Sequence, residues 1–191
     1  MSGPISSLEL LRPCSLEHAL RLLGEDPSLV PLAGCTDLYV MLNAGSPPGR
    51  RFLDLARLGE LGHIERRGEC LSIGALATFT RLRRSRHVRA HLPMLAAAAS
   101  GIGGAQIQNR GTLGGNIVNA SPAADTLPVL AAAGAVVVLR SVSGQRRIPF
   151  TAFYTGYRRT VMRPDELVIA VEVPPVSGTQ WFRKVGTRAA Q

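Results

Sequence analysis

Glycines and short polar side chains alternate through residues 103–125, a combination that suits the binding of an anion. Gly111, Gly114 and Gly115 permit positive φ angles, so neighbouring backbone N–H groups can point into one concavity. The side chains that stand among these glycines form hydrogen bonds without adding bulk, and they belong to Thr112, Asn116, Asn119 and Ser121. The segment therefore favours a polyanion held by backbone dipoles and hydroxyls instead of by lysine.

The diphosphate of a dinucleotide is the polyanion that fits such a segment best. Asp125, at the end of the segment, would then supply an acceptor for sugar or ribityl hydroxyls. Glycines alone would fit equally well a loop that only turns corners. The polar residues spaced among them, and the apolar runs on both sides, favour a ligand site.

Two better-known phosphate motifs are absent from the sequence. No Gly-x-x-x-x-Gly-Lys-Ser/Thr run occurs, which excludes a P-loop nucleotide triphosphatase. The run from Gly101 to Gln106 lacks the last glycine of the Rossmann fingerprint and follows a helical segment, so we expect no Rossmann site. A second element could face the same diphosphate, because the turn of residues 34–37 precedes the N-terminus of a predicted helix.

The elements that would position the first turn have an α/β pattern. Ser15 begins a predicted helix that ends before Gly24, and the apolar residues 29–33 favour a buried strand. Residues 38–42 then favour a helix, and residues 51–55 favour another strand. The first turn therefore joins a strand to a helix N-terminus.

The later part of the chain has more antiparallel character. The pattern predicts, in order, a hairpin of residues 63–66 and 70–73, a helical stretch over residues 80–100 broken at Pro93, a helix over residues 125–133, a strand over residues 135–139, a strand over residues 146–150, a short helix over residues 151–156, a strand over residues 167–173 and a last strand over residues 181–185. Residues 101–119 hold six glycines, so we expect neither helix nor strand there.

Composition is that of a globular protein, with 46% hydrophobic and 18% charged residues in a chain of 191. No stretch approaches the roughly 20 apolar residues that cross a bilayer. Residues 1–9 carry no basic residue ahead of the apolar ones, unlike a signal peptide. Cys14, Cys35 and Cys70 match no disulfide, zinc or iron–sulfur spacing, and they favour a cytoplasmic protein with free thiols.

The net charge of +9 includes an arginine-rich segment over residues 81–89. Such a segment can bind nucleic acid, a membrane surface or an acidic protein. Because no aromatic residues for base stacking interleave with the arginines, we interpret it as a solvated helix face and expect neither nucleic acid nor membrane as a partner.

His87 and His91 have a metal-binding spacing, but no Glu or Cys accompanies them, so we expect two surface histidines and no metal site.

Several segments resemble the FAD-binding subunits and domains of molybdenum hydroxylases. The run Pro31-Leu-Ala-Gly-Cys-Thr-Asp-Leu38 is similar to the first flavin loop of that family, and residues 108–125 closely resemble the second. Residues 153–160, followed by Arg163-Pro-Asp-Glu-Leu167, are similar to the xanthine dehydrogenase branch, and residues 182–191 are also a family segment. The chain is similar as well to the medium subunit of aerobic carbon monoxide dehydrogenase. The resemblance covers almost the whole chain.

The resemblance implies an α/β (α+β) fold of the two-lobed, FAD-binding PCMH type. Residues 1–57 would form a small N-terminal α/β lobe, residues 58–191 a larger lobe with a mixed or antiparallel sheet, and FAD would lie between them. The residues that the resemblance assigns to FAD are Leu32, Ala33, Gly34, Cys35, Thr36, Asp37, Leu38, Ile102, Gly111, Thr112, Gly114, Gly115, Asn116, Asn119, Ser121, Asp125, Val168 and Lys184. The first seven would contact the diphosphate and adenosine side, and the last two would approach the flavin end.

The sequence departs from the family pattern in several places. Ile102 stands where some relatives place an aromatic ring against the flavin, and Cys35 stands where relatives often have a smaller residue. We interpret Cys35 as a residue that serves packing, in preference to a redox role. Tyr154 and Tyr157 could shield a flavin ring, face a partner or pack in the core. Family members normally continue for about a hundred residues as a C-terminal lobe, so we expect a sequence that stops at Gln191 to be a fragment or a truncated form. The sequence has no iron–sulfur cysteine cluster, so that module would belong to another chain.

The function that the resemblance implies is that of an electron-transfer module, an oxidoreductase subunit that is not active on substrate alone. A molybdenum-cofactor subunit would hydroxylate the substrate, and a subunit with 2Fe–2S clusters would pass the electrons to FAD. NAD⁺ or another acceptor would then receive them. We nominate no catalytic acid or nucleophile, because no Ser–His–Asp or Cys–His constellation stands out. The alternative is a truncated, non-catalytic fold relic that binds a protein through its basic face.

Overall fold

The computed structural model describes residues 8–186 of the chain. The elements, in chain order, are β1 (Glu9–Leu11), α1 (Leu16–Glu25), β2 (Val30–Leu32), α2 (Thr36–Asn43), β3 (Arg51–Asp54), β4 (Ile64–Arg67), β5 (Cys70–Gly74), α3 (Phe79–Arg84), α4 (Arg86–His91), α5 (Pro93–Ser100), α6 (Ala105–Arg110), α7 (Leu113–Asn119), α8 (Thr126–Ala132), β6 (Val136–Ser141), β7 (Gly144–Pro149), β8 (Tyr154–Gly156), β9 (Arg159–Thr160) and β10 (Leu167–Val173). Short 3₁₀ helices lie at Gly59–Gly62 and Phe150–Ala152.

The first three strands form a parallel sheet in the order β1-β3-β2. Phe52 of β3 pairs with Leu10 on one side and with Val30 on the other. Parallel neighbours need crossover connections, which α1 and α2 provide. The Ser15 hydroxyl caps α1 by accepting a hydrogen bond from the His18 N–H. The carboxyl end of β2 leads directly into the first glycine turn, at the edge where open α/β sheets bind ligands.

A second sheet has the order β4-β5-β10-β6-β7 and is antiparallel throughout. At its centre, Val171 of β10 pairs with Ile73 of β5 and with Val137 of β6, and all three side chains are buried. Apolar residues of α3, α5, α7 and α8 pack in the same core. These helices and the sheet therefore form the body on which the second glycine segment is held.

A smaller core joins the two sheets. Leu16, Leu20 and Leu23 of α1 pack there with Leu53 of β3 and with Leu167, the first residue of β10. The apolar face of α1 thus contacts both the parallel sheet and the antiparallel one. The predicted lobe boundary at residue 57 stays a proposal.

The prediction for residues 101–119 was wrong, because α6 and α7 occupy most of this segment. Tertiary packing outweighs the low helix propensity of glycine here. A Cβ added at Gly114 would lie 2.7 Å from the Ala75 Cβ, and one at Gly111 would lie 2.7 Å from the Phe79 ring. Glycine is therefore needed for close approach, and both glycines stand at or near the start of a helix.

Two further element predictions were wrong. Residues 151–156 form no α-helix; the Phe150–Ala152 3₁₀ turn is followed by β8, which pairs with β9. Residues 181–185 form no strand, although exposed and half-buried side chains alternate there, because nothing in residues 8–186 pairs with them. Alternating side-chain exposure is typical of an extended chain, but a strand also needs a neighbouring strand to which it is hydrogen-bonded. Residues 187–191 of the final family segment, and residues 1–7, lie outside the described residues.

The remaining elements follow the predicted order within a few residues. The helical stretch over residues 80–100 breaks at Pro93 as expected and also at Ser85, which divides it into α3, α4 and α5. None of the helices within residues 8–186 has the length and apolar character that crossing a membrane requires.

Candidate functional site

The two glycine turns lie directly against each other. A Cβ added at Gly34 would lie 2.0 Å from the Arg110 carbonyl oxygen and 3.1 Å from the Gly111 Cα. The φ of Gly34 is not positive, so the requirement for glycine at this position is one of space. Across the same contact, Asn119 Nδ2 donates to Asp37 Oδ1 at 2.9 Å, although the two residues are 82 positions apart. The two turns therefore form one surface.

Three adjoining cavities lie along this surface. The middle cavity, of about 200 Å³, is lined by Leu32, Ala33, Gly34, Cys35, Thr36, Asp37, Leu38, Gly111, Thr112, Gly115, Asn116 and Asn119 among others. An apolar cavity of about 420 Å³ adjoins it at Thr112 and Gly115 and also contains Val168. A polar cavity of about 280 Å³ adjoins it at Asn116 and Asn119. The three cavities form one elongated groove.

The groove brings together the residues predicted from the sequence. Gly114 lines the apolar cavity, and Ile102, Ser121 and Asp125 line the polar cavity. Lys184 lines none of the three, but its Nζ reaches Asp125 Oδ2 at 2.7 Å. Ile102 and Val168 lie in different cavities, so the structure does not bring together these two positions, both of which were expected near the flavin.

Two polar side chains of the second turn keep donors free in the groove. Thr112 Oγ1 accepts from the Gly115 N–H at 3.1 Å and so caps α7, and its hydroxyl hydrogen remains available. Asn116 Oδ1 accepts from the Thr126 hydroxyl at 2.5 Å, and no described residue accepts from its Nδ2. Both donors line the middle cavity. A bound anion there would find two side-chain donors.

Two predicted side chains already have partners. Asn119 donates to Asp37 and accepts from Arg158 Nη1 at 3.0 Å, so its amide ties three segments together. Asp125, predicted as an acceptor for hydroxyls, forms a partly buried ion pair with Lys184 through one oxygen. Its second oxygen remains available to a ligand.

The N-terminus of α2 also faces the groove. Its first-turn residues Thr36, Asp37 and Leu38 line the middle cavity, and no side chain caps the helix. First-turn N–H groups have no partner inside a helix, and the helix dipole adds positive charge there. The uncapped first turn of α2 therefore lines the same cavity as the free donors of Thr112 and Asn116, an arrangement suited to an anion.

Cys35 holds a strained backbone position at this turn. Its φ of 63° and ψ of 11° place it in the left-handed region, which side chains with a Cβ rarely occupy. Burial raises the pKa of its thiol, although the nearby Arg110 lowers it. The neutral thiol that results agrees with the interpretation of Cys35 as a packing residue.

We expect Cys35→Gly to raise the free energy of unfolding by about 1 kcal/mol, because glycine removes the left-handed strain. Cys35→Ala keeps a Cβ and provides the matched control, which should not be stabilised. Urea denaturation of the two variants measures the difference. A glycine variant no more stable than the alanine variant would contradict the assigned conformation.

Two residues that line the groove, and one buried residue beside it, were missed from the sequence. The buried Phe79 ring lines the middle and polar cavities. Gln108 is 4% exposed, and its Nε2 donates to the carbonyls of Ser100 and Ile102, which shapes the loop before α6. Arg158 lines the polar cavity and binds Asn119. Gln108 begins the second family run, and this was the signal that could have marked it.

The fold and the groove together define a flavin-dinucleotide-binding domain. A strand-to-helix turn of a parallel sheet meets a glycine segment mounted on an antiparallel sheet, and the groove between them suits a diphosphate. Residues 6–176 match the family model described as the FAD binding domain in molybdopterin dehydrogenase. The chain belongs to this family, and FAD is its cofactor.

Individual relatives agree with this assignment. The nicotinate dehydrogenase FAD-subunit of Eubacterium barkeri is 33% identical over 191 residues, which cover 96% of this chain and 64% of the relative. The xanthine dehydrogenase FAD-binding subunit of Escherichia coli O157:H7 is 36% identical over 165 residues, which cover 86% and 56%. The chain thus spans 56% to 64% of the length of these curated relatives.

A solved structure has the same fold. Carbon monoxide dehydrogenase from Hydrogenophaga pseudoflava, in a form that lacks the Mo-pyranopterin moiety of the molybdenum cofactor, superposes with a TM-score of 0.90 at 32% identity. The match covers 100% of this chain and 67% of that one. The predicted fold class, family and cofactor are therefore confirmed, while the roles of single groove residues stay predictions.

Proposed function

We propose that this chain is the FAD-binding electron-transfer component of a molybdenum hydroxylase similar to xanthine dehydrogenase. The observation that supports this most directly is the packing of Gly34 on the Arg110 carbonyl, with the Asn119–Asp37 hydrogen bond beside it. Along this contact, the middle cavity of the groove is lined by the uncapped first turn of α2 and by Thr112 and Asn116, which have free donors. In this proposal the diphosphate of FAD lies in the middle cavity.

The proposed roles of the groove residues follow from their free polar atoms. The N-terminus of α2 favours the negative charge of the diphosphate, and the Thr112 hydroxyl and Asn116 Nδ2 donate hydrogen bonds. The oxygen of Asp125 that Lys184 leaves free accepts from a hydroxyl of the cofactor. Bound FAD supplies the redox chemistry, and the protein supplies position, polarity and exclusion of water.

The proposed partners are a molybdenum-cofactor subunit and a subunit with 2Fe–2S clusters. Electrons would enter FAD from those clusters and leave to NAD⁺ or to another acceptor. The names of the relatives support this, because they describe FAD subunits of dehydrogenases that act on nicotinate and on xanthine. These two relatives differ in the substrate that their names give although their identity to this chain is similar, and we propose a likeness to xanthine dehydrogenase at the level of the enzyme class. A cytoplasmic location belongs to the same proposal.

Substitution of either free polar group should weaken FAD binding. A hydrogen bond to a charged group contributes roughly 1.5–3 kcal/mol, so Asn116→Ala or Asp125→Ala should raise the Kd for FAD about 10- to 150-fold. Titration of the apoprotein with FAD, followed by flavin fluorescence, measures this change. Asn43→Ala, at the exposed end of α2, is the matched control and should leave the Kd unchanged.

Wild-type affinity in both variants would contradict the proposed role of the groove residues. A wild-type chain that binds no FAD would contradict the proposed function itself and favour the protein-binding module. Co-purification with a molybdenum subunit and a 2Fe–2S subunit tests the partners. Reoxidation of the reduced holoenzyme by NAD⁺, followed at the flavin absorbance, tests the acceptor.

A further inference from the structure

Residues 174–186, here named the strap, follow β10 without helix or strand and bend at Gly178, whose φ is 85°. Side chains with even numbers turn inward along the strap, while their neighbours with odd numbers are exposed. The half-buried inward side chains are those of Val176, Gln180, Phe182 and Lys184. Val176 and Phe182 pack against the main core. The strap therefore has one face against the body of the protein although no ladder of hydrogen bonds holds it.

His91, the last residue of α4, holds the strap at two points. Its ring Nε2 lies 3.0 Å from the Pro174 carbonyl oxygen. A carbonyl oxygen can only accept, so Nε2 carries the proton in this contact. The backbone oxygen of His91 accepts from Gln180 Nε2 at 2.9 Å. One helix end thus fixes both the start and the middle of the strap.

Four residues beyond Gln180, the strap delivers Lys184 to the groove. Lys184 Nζ pairs with Asp125 at 2.7 Å, and both side chains are at most 20% exposed. The lysine stem passes Gly101, where a Cβ would lie 4.0 Å from the lysine Cδ. Because an extended chain rises about 3.3 Å per residue, the anchor at Gln180 lies only about 13 Å from Lys184 along the strap.

The polar contacts of Gln180 are incomplete. Its Oε1 is buried and has no hydrogen-bond partner among the residues that the structure describes. A buried unpaired oxygen costs stability and offsets what the hydrogen bond to His91 contributes, so the glutamine adds little net stability here. A glutamine that adds little to stability is better explained as a residue that fixes the position of the strap.

We propose that Gln180 and His91 are positioning residues, which hold the strap so that Lys184 meets Asp125 at the FAD groove. The inference rests on the proposed function, because it takes Lys184 as a residue that supports FAD binding. Gln180 and His91 line none of the three cavities of the groove, and they act through Lys184. Their contribution to FAD affinity should therefore vanish when Lys184 is absent.

A double-mutant cycle with Gln180→Leu and Lys184→Met tests this dependence. In the wild-type background, Gln180→Leu should raise the Kd for FAD about three- to tenfold, the loss expected for one neutral hydrogen bond. In the Lys184→Met background, the same change should have no measurable effect. Thr179→Ala, an exposed neighbour on the strap, is the matched control and should leave the Kd unchanged.

Two further measurements separate positioning from a structural role. The thermal midpoint of apo Gln180→Leu should stay close to that of the wild type, because removal of the unpaired oxygen offsets the donor that the His91 oxygen loses. Trypsin should cleave Gln180→Leu faster after Arg183 or Lys184, because the strap is no longer held. Neither measurement requires FAD, so both remain informative if the chain binds no flavin.

Each alternative outcome has a distinct meaning. An equal loss of FAD affinity in both backgrounds would overturn the inference, since Gln180 would then act on the fold in general. Unchanged trypsin cleavage, or no effect of Gln180→Leu on affinity, would overturn it as well. If Lys184→Met leaves the Kd unchanged, Lys184 has no role in the groove and the inference fails while FAD binding stands. A wild-type chain that binds no FAD would instead refute the proposed function.

Discussion

Gly34→Ala is expected to abolish FAD binding and to lower the free energy of unfolding by about 3 kcal/mol, the upper range for overpacking. The added Cβ would lie 2.0 Å from the Arg110 oxygen and 2.6 Å from its carbonyl carbon. Both atoms belong to the backbone at the end of α6, so no rotation of a side chain relieves the contact. The two turns must separate, and the middle cavity then loses one of its walls.

A graded series of alanine substitutions distinguishes this effect from general sensitivity to glycine replacement. Nothing lies within 4 Å of a Cβ at Gly59, so Gly59→Ala should bind FAD normally. At Gly115 the Cβ would lie 2.9 Å from Thr112 Oγ1, a side-chain atom that can rotate away at the cost of the α7 cap. Its loss of affinity should therefore be intermediate.

FAD titration of the three variants, at a temperature where urea denaturation shows each to be folded, measures the order of the effects. Wild-type affinity in folded Gly34→Ala would show that the two turns do not touch as described. The elongated groove would then be incorrect, and with it the proposed position of the diphosphate.

The polar set of the groove was predictable from the sequence because its chemistry is local. Thr112 and Asn116 stand between glycines, and a diphosphate needs both short donors and backbone access. The strand-to-helix turn at Gly34 was also predictable, because an apolar run before it and helical spacing after it are short-range signals. That both turns face one diphosphate was inferred from their shared chemistry and supported by the resemblance, since no local pattern joins positions about 80 residues apart.

The two helices α6 and α7, on either side of Gly111 and Thr112, could not be derived from propensity. Propensity counts the cost of glycine in an isolated helix, whereas here Gly114 packs on Ala75 and Gly111 on Phe79. The role of Arg158 was hidden for a related reason, because it reaches Asn119 from a backbone in the left-handed region at φ 51°. No local pattern in the sequence announces that conformation at an arginine.

The strap shows another kind of error in prediction from sequence, a predicted strand that is absent from the structure of this segment. The sequence predicted a strand over residues 181–185, and the structure has none there, although half-buried Phe182 and Lys184 alternate with exposed neighbours as they would in a strand. In this fold side-chain anchors replace the ladder, and the periodicity cannot distinguish the two.

The second large effect is expected at Glu166, whose side chain is only 1% exposed. Its Oε1 accepts from Arg146 Nε at 2.6 Å, and its Oε2 accepts from Arg146 Nη2 and from the Arg163 N–H, each at 2.7 Å. Burial alone would raise the pKa of Glu166, but these hydrogen bonds and the two arginine charges outweigh it and hold the pKa below its ordinary value of 4.5. The carboxylate is thus fully paired inside the fold.

Glu166→Ala should lower the free energy of unfolding by about 3 kcal/mol, because it leaves two arginines without their buried partner. The matched control is Glu172→Ala, which breaks the exposed pair with Arg147 and should cost less than about 1 kcal/mol. Urea denaturation near neutral pH measures both. Equal effects of the two substitutions would contradict the buried carboxylate at Glu166.

The pH dependence of this effect has a definite sign. A carboxyl whose pKa is lowered by folding stabilises the protein above its unfolded pKa, and the contribution is lost as the pH falls through the folded value. The difference between wild type and Glu166→Ala should therefore be complete near neutral pH and shrink below about pH 4. Glu166 and Arg163 line the apolar cavity beside Val168, so the same acid range should weaken FAD binding in the wild type. A stability difference that is constant from neutral to acid pH would show that packing, and not the charge of Glu166, holds this wall of the groove.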